Sequence, residues 1–164
     1  MPKLHRRTFL KSALTAAGAA ATVTISTGRA GARVVGANER LRVAVCGVGG
    51  RGRGHLGSYK SMENVEVTWL IDADQRRLQD GTNTTSDIRK ALDDKNLDAI
   101  SVATPNHWHS LAVIWAAQAG KHCYVEKPAS HDIYEGRVAL AAAKKYGVVI
   151  QHGTQQRSDQ GRAN

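Results

Sequence analysis

The segment Gly47-Val48-Gly49-Gly50-Arg51-Gly52 stands directly behind the apolar run Leu41-Arg42-Val43-Ala44-Val45-Cys46, and a GxGxxG in that position leaves few folds open. The first glycine permits a tight turn, the second lets backbone N–H groups approach a pyrophosphate, and the third allows a helix to pack closely on the strand. A helix that starts there points unpaired N–H groups and the positive end of its dipole at the phosphates. A second apolar run, Val65-Glu66-Val67-Thr68-Trp69-Leu70-Ile71, ends in Asp72, 20 positions after Gly52. At that spacing a carboxylate accepts both hydroxyls of an adenosine ribose and repels a 2′-phosphate, which favours NAD over NADP. Arg76 and Arg77 weaken that preference, and a plainer reading has Asp72 and Asp74 merely opening the next turn.

Further apolar runs at 98–104, 122–126 and 148–152 alternate with helical patterns at 108–119 and 132–146, which are followed by Gly120 and Gly147. Glycines in those places are C-terminal helix stops. The alternation predicts an α/β fold, a Rossmann-type doubly wound parallel sheet, with the dinucleotide-binding domain over residues 40–154. Between Asp72 and a helix-like segment at 86–92 only 13 residues intervene. A crossover needs a dozen or more, so the strand expected at that edge is very short or missing. Trp108 and Trp115, at helical spacing, read as core rather than as a ligand platform.

Residues 1–32 read as an export signal. His5-Arg6-Arg7-Thr8-Phe9-Leu10-Lys11 is a twin-arginine motif, a mildly apolar stretch follows at 12–25, and Ala30-Gly31-Ala32 is a cleavage pattern. The apolar stretch is too short to span a bilayer comfortably, so it is an address and not a membrane anchor, and the expected location is periplasmic or otherwise extracytoplasmic. Residues 33–39 make a short linker. Removing 32 of the 164 residues leaves 132, room for one compact domain, and takes five positive charges with it, so the formal net charge falls from +9 to +4. That excess is spread without a basic run or an aromatic platform, which excludes nucleic acid as a partner. Cys46 and Cys123 fall on strands separated by one intervening strand, about 10 Å apart, beyond the reach of a disulfide.

The glycine loop and Asp72 are joined by Ala103-Thr104-Pro105-Asn106-His107-Trp108-His109, by Glu126-Lys127-Pro128 at the end of the run 122–126, and by Gly153-Thr154-Gln155-Gln156-Arg157-Ser158. With these motifs in this order, residues 40–158 resemble the N-terminal domain of the Gfo/Idh/MocA family, which includes glucose-fructose oxidoreductase and inositol dehydrogenase. The resemblance implies that Gly47, Val48, Gly49, Gly50, Arg51 and Gly52 form and flank the pyrophosphate loop, and that Asp72 holds the adenosine ribose. It places Thr104, Pro105, Asn106 and His109 at the cofactor, Glu126 as a residue that helps to position it, and Lys127 beside both the nicotinamide ribose and the substrate hydroxyl. Lys127 is then the catalytic residue, because hydride removal from a sugar carbon requires a proton to leave the same hydroxyl and a partly desolvated lysine can accept it. The HxH of His107 and His109 has no third ligand nearby, so no metal is expected.

Family members carry a second α/β domain that contacts the sugar or polyol substrate, and this sequence ends at Asn164, with 155–164 as the start of the connection. The expectation is half of an active site with little turnover by itself, and an uncovered apolar face that favours a homo-oligomer. Twin-arginine export goes with proteins that fold around their cofactor first, so tightly held NAD or NADP is expected. Two other readings remain open: a truncated nonenzymatic remnant or nucleotide-binding module, and NAD-dependent glycoside cleavage through a transient ketone.

Overall fold

A computed structural model describes residues 40–78 and 83–157, apart from the side chain of Gln156. The export-signal reading at 1–32, the linker at 33–39 and residues 158–164 lie outside the described residues.

Six strands form one sheet: β1 (Leu41–Cys46), β2 (Val65–Ile71), β3 (Asn83–Thr85), β4 (Ala99–Val102), β5 (His122–Val125) and β6 (Ile150–His152). All five pairings are parallel, and the spatial order is β3-β2-β1-β4-β5-β6. This is the doubly wound order in which the chain reverses direction across the sheet between β1 and β4 and a crevice opens outside the carboxyl ends. Among the described residues four helices connect the strands: α1 (Gly50–Lys60), α2 (Ile88–Leu92), α3 (His109–Gln118) and α4 (Ile133–Tyr146). The edge strand left in doubt is present but only three residues long, and among the described residues before it lies a 3-10 turn at Gln75–Arg77. The strands at 98–104 and 148–152 are shorter than expected: β4 loses 103–104 to the loop lining the crevice, and β6 starts only at Ile150.

Both faces of the central strands are covered, which is why they read as continuous apolar runs instead of alternating ones. Ala44, Cys46, Ile100, Val102, Cys123 and Val125 pack with α3 residues Ala112, Val113 and Ala116 on one face, while Val45, Val48 and Leu70 pack with Leu56 and Tyr59 of α1 on the other. Cys46 and Cys123 are both free and buried, on strands with β4 between them, as expected. Burial first, then the Asp72 charge, pushes the Cys46 thiol up to about 12, and burial followed by Cys46 does the same to Cys123, so neither is a reactive thiolate.

Local chemistry sets the helix ends. Asp132 caps α4 by accepting from Glu135 N–H at 2.8 Å, and Glu135 accepts from His131 N–H at 3.2 Å. That capping box accounts for the one grouping of His131, Asp132 and Glu135 close enough to suggest a metal among the described residues. At the other end Gly147 takes the left-handed conformation, φ 68°, as the C-cap. Among the described residues no helix is long and apolar enough to cross a membrane. The large exposed apolar side chains fall chiefly on α4, at Ile133, Tyr134 and Leu140, with Val149 before β6.

Helix α1 is the odd member, with Gly50, Gly52, Gly54 and Gly57 among its 11 residues. Each interior glycine costs about 0.5–1 kcal/mol relative to alanine. A Cβ at Gly54 or Gly57 meets nothing within 4 Å, whereas one at Gly52 is driven into the carbonyl oxygen of Gly47. Gly54→Ala and Gly57→Ala should therefore each raise stability by about 0.5–1 kcal/mol in urea denaturation, and Gly52→Ala should lower it by more than either gain.

Candidate functional site

The crevice at the switch point is a cavity of about 600 Å³. Its floor is the glycine loop. Gly47 has φ +85°, and a Cβ there would sit 2.7 Å from the backbone of Ala103 and Thr104, so the turn needs glycine twice over. Gly49 is the N-cap of α1 and supplies no side chain to the helix start, the first turn holds no acidic residue, and Gly47, Gly49 and Gly50 line the cavity there. An anion-accepting helix start with its capping position left bare is what a pyrophosphate requires. Thr104 adds a buried hydroxyl without a hydrogen-bond partner on the same wall.

Asp72 closes one side. Its carboxylate accepts from Val48 N–H at 2.8 Å and from Asp74 N–H at 2.9 Å, so it ties the glycine loop to the end of β2. Arg77 lies across this end, Nη1 3.7 Å from Asp72 Oδ2 and Nε 3.5 Å from Asp74 Oδ2. Asp74 sits below the usual carboxylate range, chiefly because Arg76 donates to it.

Of the residues assigned from sequence, Gly47, Gly49, Gly50, Asp72, Thr104 and Pro105 line the cavity. The others stand behind it or beyond it. Val48 is buried with its N–H on Asp72, and Gly52 packs under Gly47. Asn106 is exposed in a 3-10 turn. His109 is 1% exposed, and its ring bridges two carbonyl oxygens, with Nε2 2.9 Å from Thr104 O and Nδ1 2.6 Å from Pro128 O. It thus pins the loop after β4 to the loop after β5 and presents nothing to the cavity. Lys127 is exposed at the end of β5, followed by a cis Lys127–Pro128 peptide.

Arg51 and Glu126 belong to a network beneath the loop. Glu126 is 5% exposed, and its Oε1 accepts from Arg51 Nε at 2.9 Å, from Gln155 Nε2 at 2.6 Å and from the His55 ring at 2.9 Å. Its Oε2 accepts from Lys127 N–H at 3.3 Å. Burial by itself would raise the Glu126 carboxyl, but the hydrogen bonds from Arg51 and His55 together with the Arg51 charge outweigh it and hold it below its ordinary value. His55, buried and with its other ring nitrogen 2.9 Å from Ser101 Oγ, was not singled out from the sequence, nor was Ser101, a fully buried polar residue in central β4.

One expectation holds only in part. Trp115 is half-buried and packs against the core, as expected, while also bordering the cavity, whereas Trp108 is 46% exposed and lines the cavity without joining the core. Helical spacing fixed only which face of the segment they share, and that face runs from the core at Trp115 out to the crevice at Trp108.

A family model described as an oxidoreductase family with an NAD-binding Rossmann fold matches residues 41–154. The chain belongs to the Gfo/Idh/MocA oxidoreductase family. It is 30% identical over 127 residues to the oxidoreductase YrbE of Bacillus subtilis, covering 74% of this chain and 37% of the relative. It is 30% identical over 125 residues to levoglucosan dehydrogenase of Pseudarthrobacter phenanthrenivorans, covering 68% and 32%. A glycosyl hydrolase family 109 protein of a Shewanella strain is 30% identical over 164 residues, covering 82% and 36%. Among solved structures, GenD2 of gentamicin A biosynthesis, in complex with NAD, superposes with a TM-score of 0.69 at 32% identity, over 73% of this chain and 36% of that one. The chain thus spans about a third of the length of the relatives it matches, and its residues 41–154 are the NAD-binding domain of this family.

The lowered Glu126 carboxyl sets a pH dependence. A group with a depressed folded pKa stabilises the fold fully above its unfolded value, about 4.3, and loses that contribution as pH falls through the folded value. Glu126→Gln should cost about 1–3 kcal/mol near neutrality, and the gap between wild type and variant should narrow as pH drops below about 4, read from urea midpoints across a pH series.

Proposed function

We propose that this domain binds NAD in preference to NADP, and that the protein uses it to oxidise or reduce a sugar or polyol. The observation that carries the reading is the Asp72 carboxylate at the tip of β2, hydrogen-bonded to the glycine loop and lining the cavity beside Gly47 and Gly49. A carboxylate there accepts ribose hydroxyls and opposes a 2′-phosphate. Arg77 tempers the opposition without removing it, since it is already shared between Asp72 and Asp74. The NAD complex of GenD2 and the sugar-linked name of levoglucosan dehydrogenase support the cofactor and the substrate class.

When bound, NAD supplies the hydride acceptor. Lys127 is the residue of this chain assigned to the substrate hydroxyl, where its amine takes the proton that leaves as the carbon is oxidised. Its backbone is fixed through Glu126 and its side chain is exposed at the carboxyl edge, the position from which a substrate lying over the sheet is reached. Asp72 and the amides of α1 bind and orient; the 3-10 turn at Asn106–Trp108 borders the crevice opposite them. Export by the twin-arginine route belongs to the proposal, and with it tight retention of the nucleotide, because a periplasmic enzyme cannot draw on a free pool. Self-association is included on the strength of Ile133, Tyr134 and Leu140, which leave an apolar stripe on α4.

The glycosyl hydrolase family 109 relative favours a second reading, glycoside cleavage with the nucleotide regenerated in each cycle. A net gain of NADH during turnover separates sugar oxidation from such cleavage.

Calorimetric titration tests the cofactor claim. NAD should bind the purified protein, NADP more weakly, and Asp72→Ala should weaken NAD by about 10- to 100-fold while a folded signature is kept. Folded protein that ignores both nucleotides would sink the reading.

A further inference from the structure

His109 opens α3, is 1% exposed, and bridges two loops without touching the crevice. Both of its partners are backbone carbonyls. Nδ1 lies 2.6 Å from the Pro128 oxygen and Nε2 lies 2.9 Å from the Thr104 oxygen. A carbonyl oxygen accepts and never donates, so each contact needs a proton on the ring nitrogen, and a neutral imidazole carries only one. The two bonds therefore exist together only in the positively charged ring. In the neutral ring one nitrogen lone pair is pointed at a carbonyl lone pair, and that contact turns repulsive.

The forces on this charge are opposed. Burial and the positive end of the α3 dipole disfavour it, while two charge-assisted bonds favour it. The ionisable groups around it are engaged elsewhere or open to solvent. Glu126 is held by Arg51 and His55, Asp132 and Glu135 by the amides of the α4 cap, and Lys127, His107 and His131 are exposed. Cys123 keeps its proton, His122 accepts from Val149 N–H at the opposite end of β5, and Arg89 of α2 is held by Asp87 beside Trp115, farther along α3. β4 and the rest of α3 contribute no ionisable group. The state of the ring thus turns on the two carbonyls.

Those carbonyls belong to the two working loops. Thr104 lines the crevice, and the Ala103–Thr104 peptide is the surface on which the Gly47 turn is seated. Pro128 follows Lys127, the residue assigned to the substrate hydroxyl. We infer that His109 is a proton-operated latch between these loops: with two ring protons it holds both, and on losing one it keeps Pro128, the shorter contact, and releases Thr104. Resting on the NAD reading above, the released loop no longer braces the pyrophosphate turn, so the nucleotide binds the latched form more tightly and binding takes up a proton.

Nuclear magnetic resonance of the 15N,13C-labelled protein over a series from about pH 5 to 9 provides the first test, with His109 assigned by the signals lost in His109→Gln. Two ring N–H protons protected from exchange should appear at the acid end, coupled across their hydrogen bonds to the carbonyl carbons of Pro128 and Thr104. Only the Pro128 pair should remain at the alkaline end. Calorimetry over the same series should show NAD affinity weakening about three- to tenfold through the midpoint at which the Thr104 coupling disappears. His109→Gln keeps N–H donors but has no proton to lose, so its affinity should lack that step. One protected ring proton at every pH, or two at every pH, overturns the latch whatever the nucleotide does. Wild-type affinity without the step, or a step retained in His109→Gln, overturns the link to binding; if the variant does not fold, the coincidence of the two wild-type midpoints decides it. Folded wild-type protein that ignores NAD sinks the NAD reading and leaves the ring protons to decide the latch.

Discussion

One carboxylate oxygen, Oε1 of Glu126, accepts from three side chains in two separate segments: Arg51 and His55 in the glycine helix, and Gln155 after β6. A carboxylate that is 5% exposed is costly to desolvate and survives as a charge only when its lone pairs are met. Here they are met by groups from both ends of the domain, so the demand of a single buried anion fixes the first helix against the last strand. The rest of the carboxyl edge inherits that registration. Lys127 takes its backbone position from the other oxygen of the same group, and His55 reaches from it to Ser101 in β4.

A second carboxylate does comparable work nearer the surface. Asp72 is engaged by the amides of Val48 and Asp74 before any ligand arrives. The group that would read the ribose is therefore already oriented by the loop that would hold the pyrophosphate. Arranged in this way, the site has little ordering left to do on binding, which favours affinity.

How much could be seen without coordinates follows from the range of the interactions. The glycine loop, the interval to Asp72 and the apolar strands announce themselves because each depends on neighbours close in sequence or on burial of whole runs. The three-residue β3 was doubtful for a physical reason: Asn83, Thr84 and Thr85 form an edge with almost no apolar content. Glu126 as a structural hub left no such trace, since its partners are 71 and 75 positions away in one direction and 29 in the other. His55 could have been suspected only by asking what meets Ser101 in a strand otherwise built of apolar residues. Trp108 misled because helical period says which residues share a face, not where along that face the core gives way to the crevice.

The close approach of Gly47 to β4 has one more consequence. The space a side chain would need at that position is already filled by the peptide joining Ala103 to Thr104. A replacement there would act as a wedge, prying apart the two middle ribbons on which every other layer is stacked. Gly50, with nothing near its missing methyl, is different in kind. The same fingerprint therefore holds a keystone and a doorway three letters apart, and damage to the first would be felt by the whole architecture before any guest was turned away.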